Sequence, residues 1–139
     1  MYDTRTALAL PIQSSFDIAQ GRSTIRTLIN LRRWPVIFNA RAATAFTALG
    51  ELIMLMGISR VTPVYVEILE QESGRGIMFQ CGFELSTETP SQWNTWCQQL
   101  QEAADELAVE TQTTRLLLKA RVHFEPRKIA TRDLAKTAE

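Results

Sequence analysis

The sequence predicts a two-layer α+β sandwich, with helices packed on one face of a mostly antiparallel sheet. Three observations carry this. Several short segments alternate apolar with polar residues, and two of them flank a tight polar turn. Three longer segments repeat apolar residues at spacings of three and four. The segments follow one another as strand, helix, helix, hairpin, helix, strand. With 139 residues the chain is sized for one domain and for a core that needs neither disulfide nor metal to hold it.

Residues 6–16 read as the first strand, with Pro11 restricting it to an edge or a bulge. Asp17, with Gln20 three residues on, reads as a helix N-cap and its capping-box partner. Ile18, Ile25, Leu28 and Ile29 then recur at helical spacing, with Arg22, Arg26, Arg32 and Arg33 elsewhere on the wheel. Trp34-Pro35 ends that helix, because a residue before proline avoids helical backbone angles. The next helix spans Val36 to Met56 on a stripe of Phe38, Ala42, Ala45, Leu49, Leu52 and Met56. Ile53 and Leu55 widen that stripe, and Gly57 closes the helix. Val64–Leu69 reads as a strand, residues 71–76 as a hairpin turn and Ile77–Leu85 as the returning strand. Pro90 and Ser91 open a third helix, whose stripe of Trp93, Trp96, Cys97, Leu100, Ala104 and Leu107 faces the core. Arg115–Phe124 is the last strand. Residues 1–126 form the expected domain and residues 127–139 a polar tail.

Composition excludes several function classes. Fifteen basic residues balance fifteen acidic ones, so the cationic surplus that phosphate backbones require is absent and no nucleic-acid partner is expected. Residues 42–58 carry Glu51, Gly50 and several threonines and read as too polar for a membrane span. No secretory signal is read at the start, and two cysteines with one histidine do not make a zinc site unaided. A reduced, cytoplasmic protein is expected.

Single residues offer little chemistry. His123 stands alone on a strand, without the partners of a nucleophilic triad, and reads as a surface or edge histidine. Cys81 and Cys97 read as small core residues. Gly74-Arg75-Gly76 lacks the lysine and following helix of a phosphate loop and reads as the hairpin turn. Glu51 interrupts an apolar helix, facing either solvent or a pocket. The wheel puts it with Ala40, Ala43, Thr44 and Thr47 on a small, mildly polar side able to accept another protein.

Several strings together resemble the bacterial stressosome switch kinases and anti-sigma-factor serine kinases, which share the histidine-kinase and gyrase type of ATPase fold. They are Phe16 to Arg22 at the first helix, then Ala40-Arg41, Thr44-Ala45 and Glu51-Leu52 along the second. Asp105-Glu106-Leu107 and Thr113-Thr114 lie before the last strand. The resemblance covers about residues 6–124 and implies that family's fold, with Glu51 at the position of its general base. It also implies what is missing. The family's magnesium-holding asparagine falls on Leu55, and magnesium takes oxygen ligands. The Asp-x-Gly-x-Gly motif that reads adenine is absent from Phe79–Leu85, and residues 86–92 are too few for a phosphate lid.

The expected function is therefore that of a non-catalytic, protein-binding regulator. Leu55, Met54 and Phe83 fill the former nucleotide site, with no cofactor and no metal, and Glu51 is vestigial. The expected partner is a protein of the anti-sigma-antagonist type, with a homodimer also open. The alternatives are an active ATP-dependent serine kinase or anti-sigma factor with atypical motifs, and a small-molecule sensor using the vacated pocket.

Overall fold

The computed structural model describes residues 4–56, 62–71, 74–84, 93–111 and 115–124. The elements are β1 (Thr4–Ile12), α1 (Ser15–Leu31), α2 (Val36–Leu55), β2 (Thr62–Gln71), β3 (Gly74–Glu84), α3 (Trp93–Ala103), β4 (Glu106–Thr111) and β5 (Arg115–Phe124). The strands form one antiparallel sheet in the order β1-β2-β3-β5-β4. The architecture is the predicted α+β sandwich. The predicted Gly57 stop, the Pro90-Ser91 start and the tail 127–139 lie outside the described residues.

Strand alternation shows which face the helices cover. Val64, Val66 and Ile68 of β2 are buried, and so are Ile77, Phe79 and Cys81 of β3 and Leu116, Leu118 and Val122 of β5. Tyr65, between two buried valines, is exposed on the other face. Phe38, Phe46, Leu49 and Leu52 of α2 pack onto this apolar surface. By length and composition α2 passes for a membrane span, but half of that stretch is buried inside the fold, as in the core helix of a globular domain. Its apolar side is spent on the core, between α1 and α3.

Two glycines set the distance between α1 and α2. A Cβ on Gly21 would stand 2.4 Å from Cζ of Phe46, and one on Gly50 would stand 2.8 Å from Cγ1 of Ile18. Each helix thus accepts a side chain of the other where it has none of its own. At the turn between them, Arg33 adopts φ 57° and Trp34 packs edge-on against Phe38 and Phe124.

Two boundaries differ from the sequence reading. The N-cap of α1 is Ser14, and Asp17 is its partner at the third helical position. The Asp17 carboxylate accepts from the backbone N–H groups of Gln13 and Ser14 at 2.8 and 3.2 Å, while Ser14 Oγ accepts from Asp17 N–H at 3.4 Å. The capping box is therefore Ser14 with Asp17, one turn earlier than the expected Asp17 with Gln20.

The second difference is a whole strand. Leu107 extends the helical stripe on paper, yet α3 ends at Ala103 and Leu107 belongs to β4, which pairs with β5 at the sheet edge. Asp105 makes this turn. Its N–H donates to Arg121 O at 2.8 Å, its Oδ2 accepts from His123 N–H at 2.7 Å, and its Oδ1 pairs with Arg41 of α2. Arg41 and Asp105, which stand in separate strings of the family resemblance, thus meet in one structural clamp.

Candidate functional site

The solvent side of the helical layer holds the site residues. Along α2, Thr47, Glu51 and Leu55 succeed one another at four-residue spacing and so lie on one side of the helix. Together with Arg22 of α1 and Trp96 of α3 they line a cleft of about 470 Å³. Met54, also on its wall, is 41% exposed. A second hollow of about 290 Å³ adjoins it along α2, with Arg26 on the α1 side and Gln99 on the α3 side.

Glu51 is exposed and makes no ion pair among the described residues. Across from it Arg22 Nη1 donates weakly to Thr47 Oγ1 at 3.5 Å, and that hydroxyl donates to Ala43 O at 2.9 Å. The sequence reading left Glu51 between solvent and pocket; it faces an open cleft, which is both. Leu55, on which the sequence resemblance places the family's magnesium ligand, is half-buried in the same cleft one turn on. Met54 and Leu55 wall the cleft without filling it. Phe83 pairs with Leu116 in the β3–β5 ladder, and its side chain lies outside the described residues.

This arrangement does not fit a magnesium nucleotide. Glu51 is the one carboxylate among the described residues that line the cleft, and the next turn offers an alkyl group in place of an oxygen ligand. No group of three or more histidine, cysteine or acidic side chains is placed to hold a metal among the described residues.

The remaining candidates sit elsewhere. His123 is on β5, with Nε2 at 3.6 Å from a Glu106 carboxylate oxygen, as an edge histidine with one acidic neighbour. Cys81 is buried in β3, and burial pushes its thiol up to about 12. Cys97 on α3 is half-buried, and burial raises its thiol as well. Trp93 and Trp96 pack against the core from its rim, while Leu100 is the fully buried residue of α3. Trp96 therefore serves two surfaces, the core edge and the cleft. Sequence reading placed Arg22 and Arg26 off the apolar stripe and gave them no role; their i, i+4 spacing was the available signal that they share one edge of the helix.

No protein-family model matches the chain, and no curated protein matches it by sequence. Its fold is similar to that of a chain in the crystal structure of the SiaB–SiaC complex from Pseudomonas aeruginosa. The TM-score is 0.55 at 8% identity, over 86% of this chain and 89% of that one. At that identity the likeness is one of fold.

Proposed function

We propose that this protein is a regulatory domain that works by binding another protein, on a scaffold related to the switch and anti-sigma kinases whose nucleotide site has lost its function. The observation that carries the reading is the pairing of Glu51 with Leu55 in one cleft. By the resemblance, the family's carboxylate position is kept at Glu51, while its metal-holding position falls on Leu55, which has no ligand oxygen of its own. A general base without metal-bound nucleotide has no phosphoryl group to transfer. The similar fold within a two-protein complex supports a protein as partner, and an anti-sigma-antagonist domain in the cytoplasm is the partner class we infer. Such a domain needs no cofactor.

Titration calorimetry with ATP and magnesium tests this. The expected outcome is no saturable heat. A dissociation constant in the low micromolar range overturns the reading and restores a nucleotide-dependent kinase.

A further inference from the structure

We propose that the trough over α2 is a docking groove for an acidic amphipathic helix of the partner protein, an inference that rests on the protein-binding reading above. The two hollows share Arg22, Thr47 and Glu51 in their linings and so adjoin in one trough along α2. Its floor runs from Ala43 to Leu55, about 18 Å at the α-helical rise of 1.5 Å per residue. That length accepts about three turns of a helix laid along it. Toward its Ala43 end the floor is built of short side chains, Ala43, Thr44 and Thr47, and short side chains let helix axes approach to about 8–10 Å. The helices α1 and α3 stand on either side as walls.

Charge selects the occupant. Arg22 and Arg26 are four residues apart on the α1 wall, and neither has an ion pair among the described residues. Against them stands one carboxylate, Glu51. At the other end the channel turns apolar, with Met54, Leu55 and Trp96. A helix carrying two carboxylates one turn apart along one edge, and large apolar residues at its end, matches both halves. Guanidinium groups bind carboxylates with directed, paired hydrogen bonds, so the match fixes register as well as attraction. Two cations beside a carboxylate, in a chain of zero net charge, are too few for a nucleic-acid backbone.

The test uses two fluorescein-labelled synthetic helical peptides that share a leucine face, one with glutamates flanking it and a twin with lysines in their place. Fluorescence anisotropy is measured on the full chain and on the Arg22→Glu/Arg26→Glu and Thr44→Trp variants. Circular dichroism checks that each variant is folded. The acidic peptide is expected to bind at least about tenfold more tightly than its twin, and to weaken as salt rises. The double charge reversal is expected to invert the preference, and a tryptophan on the channel floor to abolish binding. Equal binding of the two peptides, binding of neither, or an acidic peptide indifferent to the charge reversal overturns the groove. If magnesium ATP also fails to bind, the protein-binding reading survives that result with a different surface. Saturable magnesium ATP binding overturns both.

Discussion

Replacing Gly21 by alanine sets helix propensity against packing, and the two make opposite predictions. A glycine inside a helix costs about 1 kcal/mol relative to alanine, so propensity alone predicts a more stable protein. The new methyl group, however, would stand 2.4 Å from Cζ and 2.6 Å from Cε2 of Phe46. Carbon atoms rest at about 3.5–4.0 Å, so the ring must retreat by about 1 Å. Phe46 is fully buried and packs tilted against Phe79 with ring centroids 5.7 Å apart, which leaves no solvent to retreat into. Overpacking of this kind costs about 1–3 kcal/mol, and the steepness of the contact puts this site at the upper end. After the propensity gain, Gly21→Ala is expected to destabilise the fold by about 1–2 kcal/mol. For a chain of this size that is a drop of roughly 3–8 °C in melting temperature. Thermal and urea unfolding of the variant measure it directly. Phe46→Leu in the Gly21→Ala background is expected to recover part of the loss, giving a coupling energy between the two sites. An alanine variant that melts higher than the parent refutes the argument, because the helices would then be separated enough for the methyl group to fit.

Two further outcomes are expected. Because Cys81 keeps its proton in the folded state up to about pH 12 while the unfolded thiol loses it above 9.0, stability is fully present below pH 9. It falls by up to about 1.4 kcal/mol per pH unit between those values. Urea midpoints of the parent and Cys81→Ala at pH 8, 9 and 10 are expected to converge as pH rises, and parallel pH profiles reject the burial of this thiol. Asp105→Ala removes the acceptor for His123 N–H and the partner of Arg41, whose side chains are 27% and 39% exposed for Asp105 and Arg41 respectively. Solvent screening limits the loss to about 1–2 kcal/mol, with Asp105→Asn milder, and no change in the urea midpoint for either variant rules out the clamp.

The helices and the hairpin were legible because one period dominates each segment. Val36–Leu55 carries a stripe too long to be a strand, and Val64, Val66 and Ile68 alternate too strictly to be a helix. β4 was illegible because Leu100, Ala104 and Leu107 keep helical spacing across the real helix end, while Leu107 and Val109 also satisfy the strand period. What separates the two is Asp105, and its role depends on Arg41, 64 residues away. Capping failed by one turn for a related reason. Ser14 and Asp17 are both good N-cap residues, and only the backbone at Ser14, with φ −151°, is extended. The candidate site was legible along α2, where spacing puts Thr47 with Glu51 on one side and the resemblance adds Leu55 one turn on. Its walls were not, because nothing local says which side of α1 or α3 flanks another helix.

The glycines and the trough are two consequences of one packing choice. Gly21 and Gly50 let α1 and α2 interlock through Phe46 and Ile18, which seats those two side chains in the core. What α2 then shows to solvent along its middle is Ala40, Thr44 and Glu51, while Val36 and Ile37 are exposed at its start and Met54 near its end. A helix with so small an outer side along its middle, held between two neighbours that rise beside it, leaves a channel whose depth is set by those neighbours. The chain gains no stability from leaving that channel open, since a row of larger residues on α2 would bury more apolar surface against α1 and α3. Short side chains at Thr44 and Thr47 are what the proposed docking groove requires of its floor. The arginines at 22 and 26 and the rim of Met54, Leu55 and Trp96 state what that molecule must present.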